Sequence, residues 1–229
     1  AAESVAALRR AGVDLRVLPS ATTTCFGNRY NPLRSDDREQ EVTAVAAPIG
    51  VGDLAGLTAR WYHLGPLTCG DLDLALIPLL ASSGRVSLDV QGLLRQVMDT
   101  RIIVGDWAGK RDFLPALTAL KASAAEARLL TGTSDMAGAA RQIAAWGVAE
   151  VIVTLGREGS LVCHQGRLER IPAYQPQAEV DPTGCGDTYM AGYLHQRLAG
   201  RDPAAAGDYG AAMATCKLGR HGPFAGTMD

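Results

Sequence analysis

Apolar and polar positions along the 229-residue chain change their period twice. The first ten residues, Ala1-Ala-Glu-Ser-Val-Ala-Ala-Leu-Arg-Arg, already have helical spacing, and the pattern predicts a stop at Ala11-Gly12. Val13 to Leu18 alternates and predicts a strand. Thr22 to Tyr30 is β-branched and aromatic, hence strand-prone, and a polar turn from Asn31 leads to a further strand over Glu39 to Ala46. Three short strands with no helix between them predict a small antiparallel sheet spanning about residues 13–46.

From about Gly50 the rhythm becomes strand, loop, helix. Trp61–Leu64, Val86–Asp89, Leu117–Lys121 and Glu150–Thr154 are apolar runs of strand length, with Ile102–Val104 a further short one. Helical spacing appears over 73–82, 124–130 and 136–146, then after Gly186, and again from Ala204 to Leu218. Such alternation implies an α/β fold, a mostly parallel sheet flanked by helices, with ligands bound beyond the carboxyl ends of its strands. No internal repeat or low-complexity linker interrupts it, so residues 1–229 are expected to form a single domain.

Composition narrows the function. A formal charge of −2 and 47% hydrophobic residues with 26 glycines fit a globular enzyme, and neither a nucleic acid nor a membrane surface is an expected partner. The longest apolar candidate, Leu72 to Ala81, contains Asp73 and Pro78 and falls short of a bilayer span. Five scattered cysteines without metal spacing predict reduced thiols in a cytoplasmic protein. The four histidines (63, 164, 195, 221) form no triad or metal cluster in sequence.

The chemistry concentrates in Asp181-Pro-Thr-Gly-Cys-Gly-Asp187, placed between an irregular connector and a helical pattern. Two glycines around a small residue let backbone amides approach a ligand, and a helix beginning there adds unpaired N–H groups and its positive dipole end. That is an anion hole. An acid inside it makes sense when Asp187 takes a proton from a hydroxyl that attacks phosphorus. Taken alone, Gly-x-Gly-Asp equally describes a turn with an acid capping a helix. The longer string, Asp-x-Thr-Gly-x-Gly-Asp followed by Ala191-Gly192, resembles the C-terminal signature of the ribokinase-like (PfkB) family of carbohydrate and nucleoside kinases, with Cys185 where Ala is usual. Two other glycine motifs fail: Tyr189 stands where a dinucleotide fingerprint wants its third glycine, and Gly105 to Arg111 is one residue short of a P-loop.

The resemblance implies a three-layer ribokinase-like fold with the early strands as a β lid, and transfer of the γ-phosphoryl of ATP, with Mg²⁺, to a sugar, polyol or nucleoside. It makes Asp187 the base and Gly184, Cys185 and Gly186 the anion hole. Asp181 and Thr183 then lie toward the nucleotide. So does the turn Thr154-Leu-Gly156-Arg157-Glu-Gly159, which alone is an ordinary hairpin turn. Cys216 and Gly219 sit at the end of a small-residue helix that the family uses as an adenine wall. Lys121-Ala-Ser123-Ala-Ala-Glu126 is similar to the family's Asn-x-x-Glu motif, with Glu126 ordering Mg²⁺ and Ser123 in place of Asn; a Glu in a first helical turn is also ordinary helix chemistry. Asp89, Gln91 and Arg95 after a strand, with Asn28 and Arg29 on the lid, are expected to face the acceptor; an Asp cap, a surface Arg and a polar hairpin are the plain alternatives. The family's first strands, a Gly-Gly pair and a substrate-gripping acid have no counterpart here, so an N-terminal segment is expected to be missing. The exposed lid offers an edge for a homodimer. Against the kinase stands a non-catalytic relative that binds a metabolite or nucleotide, for which Ser123 is the sole support and the intact Asp187 the counter-argument. A dinucleotide oxidoreductase comes a distant third.

Overall fold

The computed structural model describes residues 2–31 and 34–225, with the side chains of Ala2 and residues 28–40 outside the described set. Helix α1 (Ala2–Arg10) stops at Ala11-Gly12 as its sequence predicts. The expected strand at 13–18 does not form. Val13 and Val17 are exposed, and this stretch pairs with no strand among the described residues, so its alternation has no ladder to join.

Strands β1 (Cys25–Asn31) and β2 (Arg34–Ala44) make the antiparallel hairpin expected of the lid. Its remaining strands come from elsewhere in the chain. After β3 (Trp61–Leu64), α2 (Leu76–Ala81) and β4 (Arg85–Asp89), a hairpin of β5 (Arg95–Met98) and β6 (Arg101–Val104) leaves the main sheet and completes a four-stranded sheet in the order β1-β2-β6-β5. The two hairpins meet at Glu41↔Arg101, supported by Val42 N–H on Thr100 O at 2.8 Å. The lid is therefore built from 25–44 and 95–104 rather than from 13–46.

The chain then returns through α3 (Lys110–Phe113), β7 (Ala119–Ser123), α4 (Ala124–Thr131), α5 (Met136–Ala145), β8 (Glu150–Thr154), β9 (Ser160–His164) and β10 (Arg167–Ile171) to α6 (Cys185–Leu198) and α7 (Pro203–Leu218). The main sheet has the order β10-β9-β8-β7-β4-β3, with β3, β4, β7 and β8 parallel and β9 and β10 antiparallel at one side. Leu88, Leu120 and Val151 face a core closed by α2, α4 and α5, while Ala119, Ile152 and Val162 face α6 and α7. These strands read as nearly continuous apolar runs because both faces are covered.

On the α6 face, polar residues interrupt that rule at the two ends of the sheet. At the amino end of β8, buried Glu150 accepts from Tyr193 Oη at 2.6 Å and from Arg197 Nε at 3.0 Å, and pairs with Arg197 Nη2. Burial, then the Glu150 charge, pushes the Tyr193 phenol far up, so it stays a donor. At the carboxyl end lie His63, Ser87, Asp89 and Lys121.

Candidate active site

Helix α6 begins at Gly184, whose φ of +81° puts it in the left-handed region that a side chain resists. The Cys185 amide is spent on Pro182 O at 3.2 Å, which narrows the expected hole. Among the described residues, the amides of Gly184, Gly186 and Asp187 have no protein acceptor. Three donors and the positive end of a 14-residue helix thus face the space beyond the sheet. Asp187 sits in that first turn, 4.0 Å from where a Cβ on Gly184 would be.

The loop that delivers this turn is tied to the last helix. Val180 and Asp181 N–H both donate to Leu218 O, at 2.9 and 3.1 Å. Lys217, buried although it is a lysine, donates to Asp181 O at 3.1 Å and Arg220 O at 3.0 Å, with Asp181 Oδ2 at 3.7 Å. Asp181 Oδ1 accepts the Thr183 amide at 2.9 Å; that bond first, and the Lys217 charge later, hold the carboxyl below its ordinary range. Asp181, Thr183 and Gly219 therefore belong to one joint behind the anion hole. Cys216 is exposed nearby, and burial pushes the Cys185 thiol up, so it stays a neutral small residue.

Across the strand ends, register Asp89↔Lys121 and Ser123↔Thr154 aligns three of the expected segments. Ser123 and Glu126 form a reciprocal capping box: Ser123 N–H donates to Glu126 Oε2 at 2.7 Å, and Glu126 N–H to Ser123 Oγ at 3.3 Å. Serine in place of Asn thus makes a sound helix start. No group of three or more metal-ligating side chains occurs among the described residues. One carboxylate suits Mg²⁺, which binds through one or two carboxylates with substrate phosphates and water. The Thr154–Gly159 turn closes with Leu155 N–H on Gly159 O at 2.8 Å, and its Arg157 pairs with Glu179 in the connector.

On the acceptor side, Asp89 is buried and both its oxygens are engaged, Oδ1 by Gln91 N–H at 3.1 Å and Oδ2 by Lys121 Nζ at 2.7 Å. With its amide oxygen turned to Arg95, Gln91 accepts from that guanidinium at 2.6 Å. Asn28 and Arg29 lie on β1, where their side chains are outside the described residues.

The model of the pfkB family carbohydrate kinases matches residues 98–228, more than half of the chain. The chain belongs to the PfkB family. A cytidine kinase of Thermococcus kodakarensis is 29% identical over 151 residues, covering 63% of this chain and 50% of the relative. An inositol 3-kinase of Zea mays is 28% identical over 215 residues, covering 89% of this chain and 53% of the relative. The chain thus spans about half the length of these curated relatives. A pyrophosphate-dependent kinase of the ribokinase family, solved with a pyrophosphate analogue and myo-inositol, superposes with a TM-score of 0.88 at 28% identity, covering 98% of this chain and 79% of that one. The same kinase type solved with sulfate gives 0.89 at 29% identity, covering 97% and 79%.

Within this PfkB chain, two groups escaped the sequence reading, the buried Lys121 and the exposed His63. Lys121 opens the Lys-x-Ser-x-x-Glu segment, but its burial depends on Asp89, 32 residues away. His63, at the end of β3, has Nδ1 2.9 Å from Ser87 Oγ, whose own proton goes to Tyr62 O at 3.2 Å. That chain makes Nδ1 the donor and leaves Nε2 an acceptor. Loss of hydration around its ring lowers the His63 pKa from 6.5, and Asp89 and Asp187 counter only part of it. Its neutral form is favoured by folding, so this contribution to stability is complete above pH 6.5 and is lost as pH falls toward the folded value. Thermal unfolding at pH 7.5 and 5.5 should therefore show a smaller loss on acidification in His63→Gln than in the natural chain.

Proposed function

We propose that this chain forms the phosphoryl-transfer core of a kinase whose acceptor is a polyol or sugar hydroxyl. The observation that carries the reading is Asp187 beside three unengaged amides at the start of α6, next to Lys121 at the strand ends. In this reading Asp187 accepts the proton of the acceptor hydroxyl as its oxygen attacks phosphorus. The amides of Gly184, Gly186 and Asp187, with the helix dipole, stabilise the charge that develops on the transferring group. Bound Mg²⁺, with Glu126 the carboxylate at hand, would neutralise the donor phosphates. Gln91 and Arg95 supply an amide and a guanidinium to the acceptor. Thr154, Gly156, Arg157 and Gly159 flank the donor on one side; Asp181, Thr183, Cys216 and Gly219 flank it on the other.

A cyclitol is the first acceptor to test, because myo-inositol stands in the name of one superposed structure and inositol in that of the maize relative. A nucleoside is the second, supported by the cytidine kinase similarity. ATP is the expected donor, and pyrophosphate is the second reading because two superposed structures are described as pyrophosphate-dependent. The deciding experiment incubates the protein and Mg²⁺ with ATP or pyrophosphate against myo-inositol, hexoses and nucleosides, following the phosphate ester by ³¹P NMR. An ester from a single acceptor class names both substrates. Donor binding with no ester from any pair would overturn the kinase reading in favour of a metabolite-binding relative.

A further inference from the structure

Lys121 is a further charge at the strand ends, and no role in the chemistry above uses it. It lies on the inner strand β7, is 6% exposed, and reaches Asp89 Oδ2 at 2.7 Å. Among the described residues this is its sole hydrogen bond, so one of three ammonium donors is engaged. The ammonium abuts α6: a Cβ placed on Gly186 would stand 2.8 Å from Lys121 Nζ and 3.3 Å from Cε. A side chain at that position would have to displace the ammonium. The residue so touched is the one whose free amide belongs to the anion hole.

We propose that Lys121 is a catalytic residue, its ammonium contacting the transferred phosphoryl group at the rim of the anion hole while Asp89 anchors it. The inference rests on the phosphotransfer reading and extends it. A group bound to the Gly186 amide lies within one side-chain rotation of Nζ, whose remaining N–H donors can be given to it. Burial works against the ammonium, but Asp89, Glu126 and Asp187 outweigh it and raise its pKa, so the charge persists at any working pH. A purely structural pair is a weak reason to keep a lysine here, since apolar replacement of a buried ion pair is often neutral or stabilising. The position also reassigns Asp89 from acceptor contact to anchor.

The test separates charge used in chemistry from charge used in packing. Lys121→Met alone leaves Asp89 buried and unpaired, so the double variant Lys121→Met/Asp89→Asn is the informative one. It should recover most of the thermal stability lost in the single variant, while turnover stays down about 10²–10³-fold, the scale of losing one transition-state donor. Lys121→Arg, with charge kept, should fall between. Recovery of turnover together with stability in the double variant would overturn the proposal. A readout that needs no turnover distinguishes this failure from failure of the kinase reading. Calorimetric titration with inorganic pyrophosphate should show the double variant binding at least tenfold more weakly than the natural chain. Equal binding would overturn Lys121 as a phosphate contact even if no acceptor is ever phosphorylated.

Discussion

Asp187→Asn is expected to lower turnover by about 10²–10⁴-fold, the range contributed by a positioned general base. The substitution keeps the shape of the first turn of α6 and its three free amides, so donor binding should be retained or tightened, since one negative charge leaves the anion hole. The cost to the fold is confined to a favourable acid–dipole interaction of about 0.3–1 kcal/mol. Turnover under saturating donor and acceptor, paired with a donor dissociation constant, checks both halves. Turnover within tenfold of the natural chain would remove Asp187 as base and shift attention to His63, whose unprotonated Nε2 is a further acceptor at these strand ends.

The second large effect concerns stability and belongs to the opposite end of the sheet. Glu150→Ala strips from Arg197, whose side chain is 13% exposed, its only carboxylate partner among the described residues, and leaves the Tyr193 hydroxyl without its acceptor. Breaking one side of a buried charged network costs about 3–5 kcal/mol. For a chain of this size each kcal/mol moves the melting temperature by about 2–4 °C, so a fall of about 10 °C is expected. The site lies at the amino end of β8 and the chemistry at the carboxyl end, so turnover per folded molecule should be unchanged at low temperature. A variant that melts normally, or one that melts early and is also slow while folded, would contradict this division.

The central layers were legible because β4, β7, β8 and β9 are buried on both faces and two of the flanking helices begin on conventional signals, the Ser123–Glu126 box and Asp202 ahead of α7. The lid was only half legible. Strands β5 and β6 are four residues each and partly exposed, and β6 joins the lid through a strand more than fifty positions earlier. Local pattern holds no record of that pairing. Val13–Leu18 erred the other way, with the right period and no neighbour. In the site, Gly184, Gly186 and Asp187 are contiguous, so their geometry is visible in one string. Lys121 and His63 draw their meaning from Asp89, Ser87 and Gly186, which only the folded sheet brings beside them. Asp89 shows the same limit, since its carboxylate reads as free for a ligand until Lys121 and the Gln91 amide are seen to occupy both oxygens.

The excursion that supplies β5 and β6 is stitched shut at its own base, where Gly105 N–H donates to Leu94 O at 3.0 Å, and it opens on the Gln91–Arg95 contact proposed to meet the acceptor. On the proposed reading, the residues that meet the acceptor and those that carry out the transfer then sit on different stretches of chain, so a change within 91–105 should alter which alcohol is taken while leaving the turn at Gly184 as it is.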